Sequence, residues 1–246
     1  MNILLSGAYG KMGGEVIKAI SCKEDLKIVC GFDANEGENG FPVYNDIKNI
    51  KEKVDVIIDF SIPKATFKIL EYAKENKVPI VIATTGFSKE ELEVIEKYSK
   101  EIPIFRSSNM SLDINLMADI IKKIAEVLKD SDIEIIETHH NRKVDSPSGT
   151  AILLANAINE VFDNKKEYNL ERMQKREKRN KNEIGFSSVR GGNIVGEHTV
   201  SFFGENETLE IKHTCYSRQV FAEGAVKAAE YLIKQQPGLY NMKNIV

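Results

Sequence analysis

Along the first half of the chain, apolar and polar positions repeat one order: a short apolar run, a break bearing glycine or serine, then a segment with helical spacing. Ile3-Leu4-Leu5 is a buried-strand run, and beyond it Val16, Ile17 and Ile20 recur on one helical face. Lys27 to Phe32 (KIVCGF) reads as a second strand and Val54 to Phe60 as a third, with a helix from about Lys64 to Lys77. Ile80 to Ala83 and Ile102 to Phe105 add two strands, separated by a helix that Ser88 and Glu91 open with a capping box. Strands alternating with helices predict a parallel sheet whose ligands lie outside the carboxyl ends of the strands. The loops at that edge are Asp59-Phe60-Ser61, Thr84-Thr85-Gly86 and Arg106 to Met110.

The second half has a different grammar. After a helix to about Leu128, Ile133-Glu134-Ile135-Ile136 is β-branched and strand-like, and Ala151, Leu154, Ala155, Ile158 and Val161 form an apolar helical face. Ile184 to Val189, Ile194 to Phe203 and Thr208 to Cys215 look like antiparallel strands joined by turns at Gly191-Gly192 and Gly204-Glu205-Asn206. Arg218 to Lys234 closes the chain with a helix. Between them, Asp163 to Glu183 carries eight Lys or Arg against five Asp or Glu, and its mixed signs predict a solvated excursion.

Composition narrows the classes without choosing among enzymes. With 42% hydrophobic and 29% charged residues in 246, the chain suits one large or two modest globular domains. A net charge of -3 gives no general affinity for nucleic acid. No apolar window is long enough to span a bilayer, and the opening MNILLSGAYG lacks the basic region of a signal peptide, so a cytoplasmic protein is expected. Cys22, Cys30 and Cys215 are widely spaced and make no CxxC, which predicts free thiols and no metal site.

Two stretches carry chemistry. The first strand runs into Gly7-Ala8-Tyr9-Gly10-Lys11-Met12-Gly13 and then a helix, the context of a dinucleotide fingerprint, although Tyr9 stands where the middle glycine usually falls. Asp33 follows the second strand about 20 residues beyond Gly13, where an acidic residue meets the adenosine ribose. A carboxylate there accepts from a 2′-hydroxyl and repels a 2′-phosphate, and Lys11 offsets the repulsion only in part. NADH is therefore expected to serve at least as well as NADPH.

The second stretch is Glu137 to Ala151, ETHHNRKVDSPSGTA, which gathers two carboxylates, two imidazoles, an arginine and a lysine on a loop between strand and helix. Singly, each is most simply a solvated loop residue, with Ser148 a plain helix cap. Together they suit a small acid: the helix start at Ser148-Gly149-Thr150 and the ammonium of Lys143 attract carboxylates, and histidine moves protons.

This run resembles the E-x-H-H-x-x-K-x-D-x-P-S-G-T-A signature of the dihydrodipicolinate reductase family, and Gly7, Gly10, Met12 and Gly13 match its G-x-x-G-x-M-G. Arg190-Gly191-Gly192, Gly196-Glu197-His198 and Phe221 to Ala225 also match, so the likeness covers nearly the whole chain. It implies an α/β protein: a Rossmann-type parallel-sheet domain, 1–110 with 218–246, and an α+β substrate and oligomerisation domain, 111–217, with a mixed, largely antiparallel sheet. It further implies a homotetramer that reduces a small dicarboxylate with NADH or NADPH in lysine and diaminopimelate synthesis. His139 and Lys143 become the catalytic groups, and His140, Ser148, Gly149 and Thr150 bind substrate. Gly7, Gly10, Lys11, Met12, Gly13, Asp33, Phe60, Ala83, Thr84, Thr85, Ser107, Asn109 and Met110 bind the cofactor. Asp113 departs from the pattern, replacing the glycine of S-x-G-x-N, and a changed local backbone is expected there.

Three other readings compete. Acyl transfer through Ser148 and His139 lacks a G-x-S-x-G elbow. A redox sensor acting on DNA needs a basic module for which the opening strand leaves no room upstream. The strongest rival is a Rossmann reductase of a different small carboxylate.

Overall fold

The computed structural model describes residues 1–174 and 176–246; Lys175, inside the charged stretch read as an excursion, lies outside the described residues. The chain forms two compact units, Met1–Leu112 with Arg218–Val246, and Asp113–Ser217. In order, the elements are β1 (Asn2–Ser6), α1 (Lys11–Ser21), β2 (Lys27–Phe32), β3 (Gly37–Glu38), β4 (Pro42–Tyr44), β5 (Val56–Asp59), α2 (Pro63–Asn76), β6 (Ile80–Ile82), α3 (Lys89–Ser99) and β7 (Pro103–Arg106). Then come α4 (Leu112–Val127), β8 (Asp132–His139), α5 (Gly149–Val161), β9 (Glu167–Asn169), β10 (Glu183–Arg190), β11 (Gly196–Phe203) and β12 (Thr208–Cys215). The chain closes with α6 (Gln219–Leu232) and β13 (Gly238–Tyr240). No helix among the described residues is long and apolar enough to cross a membrane.

The first unit is a sheet in the order β13-β7-β6-β5-β1-β2-β4-β3, parallel except where β3 meets β4. Its inner strands are apolar at successive positions because both faces are covered. Alternation sorts them into two cores. Ile3, Leu5, Val56 and Ile58 pack with α1 and α6, while Leu4, Ile57, Ile80 and Ile82 pack with α2 and α3. Each such aliphatic side chain, fully buried, contributes roughly 1.5–3 kcal/mol. The short strands β3, β4 and β13, at or next to the sheet's edges, show no apolar period, and the sequence reading missed them.

The second unit is a mixed sheet in the order β12-β11-β8-β10-β9, covered on one face by α4 and α5. Along β8 the buried positions are Ile133, Ile135, Glu137 and His139. The alternation that builds the core therefore delivers a carboxylate and an imidazole to the end of the same face.

Two expectations change here. β10 and β11 do not pair as a hairpin: β8 lies between them, parallel to β10 and antiparallel to β11. The glycine turn instead wraps the end of β8, where Gly191 N–H donates to His139 O (2.9 Å) and His140 N–H donates to Ile194 O (2.8 Å). The charged stretch is not simply solvated, since Arg179 donates to Asp132 and Glu134 and to the carbonyls of Ile133 and Glu183. Asp113 lies in the first turn of α4 and takes no positive φ.

Candidate functional site

In the first unit, β1 enters the glycine turn at Gly7, whose φ of +81° suits glycine and whose N–H donates to Phe32 O at the end of β2 (2.9 Å). A Cβ at Gly7 would lie 2.5 Å from Phe60 O, and one at Gly13 2.3 Å from Gly7 O. Both glycines are thus demanded by the protein's own backbone. Asp33 accepts from Tyr9 N–H (3.0 Å) through Oδ2 and from Ala34 N–H (2.7 Å) through Oδ1, which fixes the carboxylate beside the turn.

A cavity of about 630 Å³ opens at these strand ends. Gly7, Gly10, Asp33 and Phe60 line it, with Tyr9, Ser61 and Lys64. Its size, its backbone-lined glycine turn and its carboxylate fit the adenosine and diphosphate of a dinucleotide. Lys11, Met12, Gly13, Ala83, Thr84, Thr85, Ser107, Asn109 and Met110 lie outside this lining. Met12 packs against the core, and Met110 is buried within it. Ser107 Oγ donates to Asn109 O (2.7 Å) and accepts from Asn109 N–H (3.2 Å), which folds that loop into a tight turn.

Asp59, the last residue of β5, has no exposed surface. Its Oδ1 accepts from Ser61 Oγ (2.5 Å), and its Oδ2 from Thr66 Oγ1 (2.6 Å) and Thr84 Oγ1 (2.9 Å). Thr84 Oγ1 in turn accepts Ser61 N–H (2.9 Å), so one buried carboxyl ties the loops after β5 and β6. Burial raises its pKa, and the hydroxyls oppose that rise only in part.

In the second unit the polar run assembles around Glu137, which is also fully buried. Arg190 donates to both oxygens, at 2.8 Å and 2.7 Å. Oε2 also faces His139 Nδ1 (2.5 Å), and Oε1 accepts Ser148 N–H (3.2 Å). Burial would raise this carboxyl; Arg190, Ser188 and His139 together outweigh it, the guanidinium most, and hold the pKa at about 2. A carboxylate on Nδ1 leaves Nε2 as the working nitrogen of His139. Burial lowers the pKa of that imidazole, Glu137 opposes the shift, and Lys143 and Arg190 reinforce it.

Around this pair, Lys143 Nζ donates to both oxygens of Asp145 (2.8 Å each). Gly149 is exposed at the start of α5, with Thr150 half-buried behind it. A Cβ at Gly149 would meet nothing within 4 Å, so the space over that helix end is open. Ser148 is buried: Oγ caps α5 by accepting Ala151 N–H (3.1 Å) and lies 2.8 Å from His198 Nε2. The run thus brings His139, Lys143 and the α5 start together, with His140 next along the chain and its N–H on Ile194 O, while the amide of Ser148 is bonded to Glu137 and its Oγ caps α5.

Sequence reasoning gave no role to Arg190, His198 or Asp59. The first two sit in stretches already noted as matching family motifs, and their partners lie 53 and 50 residues away. Asp59 ends an apolar strand, with Ser61 two residues on and Thr66 seven on, a pattern that could have flagged a hydroxyl-bonded acid.

Comparison with known proteins agrees with both halves. Residues 1–110 match the family model of the dihydrodipicolinate reductase N-terminus, and residues 113–246 that of its C-terminus. A 4-hydroxy-tetrahydrodipicolinate reductase of Caldanaerobacter subterraneus is 50% identical, with 100% of this chain and 98% of the relative covered. One of Clostridium novyi is 46% identical over 99% of this chain and 97% of its own. Among solved structures, a dipicolinate-bound dihydrodipicolinate reductase from Paenisporosarcina sp. superposes with a TM-score of 0.83 at 25% identity, covering 100% of this chain and 99% of that one.

Proposed function

The chain belongs to the dihydrodipicolinate reductase family, and on that premise we propose how its residues carry out the family's reduction. The reaction converts 4-hydroxy-tetrahydrodipicolinate, or the dihydrodipicolinate formed from it by loss of water, to tetrahydrodipicolinate in lysine and diaminopimelate synthesis. A nicotinamide cofactor supplies the hydride when bound. Gly7 and Gly10 would hold its diphosphate and Asp33 would accept from its ribose, and with Phe60 they line one cavity. Thr84 and Asp59 act behind them by fixing the loops, and Ala83, Thr85, Ser107, Asn109 and Met110 belong to the loops at the same edge of the sheet, beyond this cavity. Asp33, held by two backbone amides, would accept from a 2′-hydroxyl and repel a 2′-phosphate, so NADH serves at least as well as NADPH.

In the second unit, His139 is the general acid and donates from Nε2 while Glu137 keeps Nδ1–H. A substrate dianion arriving beside the imidazole counters the burial that disfavours the charged form, so the proton is loaded as substrate binds. Lys143 releases from Asp145 to meet one carboxylate, and His140, Gly149 and Thr150 receive carboxylate oxygens at the helix start. Ser148 shapes that turn from beneath. The observation that carries this assignment is the buried carboxylate of Glu137, fixed by Arg190 and pinned to one nitrogen of His139.

The protein works as a homotetramer in the cytoplasm. The sheet face turned away from α4 and α5 carries Ile136, Val189 and Phe203, 40–48% exposed, which suit a partner subunit. All three cysteines are free thiols, as a reducing compartment keeps them. NADH oxidation followed at 25 °C with substrate made in situ by dihydrodipicolinate synthase tests the reaction. Turnover dependent on the synthase is expected; its absence, with activity on another small carboxylate, supports the rival reductase.

A further inference from the structure

The contact between Ser148 and His198 has a direction that neighbouring bonds decide. Ser148 Oγ owns two lone pairs and one hydrogen. One lone pair takes Ala151 N–H, and the 2.8 Å contact with His198 Nε2 is either O–H to nitrogen or N–H to oxygen. If the serine donated, His198 would carry its hydrogen on Nδ1, which is buried and meets no partner among the described residues. Buried N–H groups without acceptors are rarer in folded proteins than acceptors left unfilled.

We infer that His198 is the Nε2–H tautomer and donates to Ser148 Oγ, so that both lone pairs of this oxygen are filled and its hydrogen is left for a ligand. The inference rests on reading the α5 start as a dicarboxylate site and deepens it. Ser148 becomes a donor only, so a group that fills its remaining valence must bring an acceptor oxygen, as a carboxylate does. His198 is a positioning residue, acting through the serine.

Its surroundings keep it neutral. His139 and Glu137 face it from β8, His213 from β12 and Lys143 from the loop, and burial together with His139 pushes its pKa down to about 3. Gly196, two residues earlier on β11, keeps the wall open: a Cβ there would lie 3.1 Å from His139 Nε2 and 3.7 Å from His198 Cε1. The rings of His139 and His198 stand edge to face with centroids 5.2 Å apart, so both are fixed without bonding each other.

Two measurements on the full chain test this. In protein labelled with 15N at histidine, the His198 resonances, assigned by their loss in His198→Gln, are expected to show a protonated Nε2 and a bare Nδ1 at neutral pH. Calorimetry with pyridine-2,6-dicarboxylate in the presence of NADH is expected to give about tenfold weaker binding for His198→Phe. His198→Gln, whose amide can donate to the same oxygen, should stay within about threefold of wild type, and NADH affinity should not move. An Nδ1–H tautomer, or wild-type affinity in His198→Phe, overturns the inference while leaving the reductase reading intact. Failure of the wild type to bind the diacid at all overturns the substrate reading, and the inference with it. Should His198→Phe not fold, the resonances of the wild type decide alone.

Discussion

Asp59 in the first unit and Glu137 in the second are both carboxyls without exposed surface near the ends of central strands, and their surroundings treat them in opposite ways. Asp59 is met by the hydroxyls of Ser61, Thr66 and Thr84, and its pKa is raised. Glu137 is met by the guanidinium of Arg190, and its pKa is held at about 2. Neutral donors satisfy oxygen lone pairs but supply no countercharge, so burial still disfavours the ion. A bidentate guanidinium supplies both. Asp59 is consequently a pin between two loops, whereas Glu137 is a fixed charge that can orient an imidazole and favour its protonated form.

The largest effect expected from this contrast is on chemistry. His139→Gln should lower kcat by about 10²- to 10⁴-fold and leave NADH affinity unchanged, as read by steady-state rates and fluorescence titration. An unchanged kcat would remove the imidazole from proton transfer.

Stability separates the two acids next. Glu137→Gln strands Arg190 and should cost about 3 kcal/mol in urea unfolding. Asp59→Asn leaves an amide able to serve the same hydroxyls and should cost about 1 kcal/mol. Equal losses would mean that the guanidinium makes no difference.

The pH dependence should run in opposite directions. Glu137 is depressed from 4.5 to about 2, so its stabilisation is complete above its unfolded value and fades as pH falls through that interval. Asp59 is raised from 3.8, so it favours the folded state most when protonated and loses that advantage as pH rises through its folded value. On acidification, the stability gap between wild type and Glu137→Gln should close, while that between wild type and Asp59→Asn moves in favour of the wild type. Parallel trends would refute the comparison.

The smallest effect concerns Gly149, with Gly7 as its contrast. Gly149→Ala meets open space and should change stability by less than about 0.5 kcal/mol while raising KM for the substrate, which approaches there. Gly7→Ala, at φ +81° and 2.5 Å from Phe60 O, should destabilise far more. A silent Gly149→Ala in both assays would move the carboxylate elsewhere.

Local patterns in the sequence revealed what local forces decide. The inner strands of the first unit, the Ser88 capping box and the loop from Glu137 to Thr150 all follow from residues within a turn or two of one another. Pairings set by the sheet were illegible. The turn at Gly191-Gly192 looks like a hairpin whether its strands pair together or straddle a third, and only the register shows β8 between them. Arg190 and His198 reach the site through that register, so composition near Glu137 gave no sign of them.

The most direct test is a crystal structure with NADH and pyridine-2,6-dicarboxylate bound. His139 Nε2 is predicted to lie within a hydrogen bond, or one bridging water, of the diacid, with Nδ1 still on Glu137. A diacid farther from that nitrogen than one water can bridge would contradict the account.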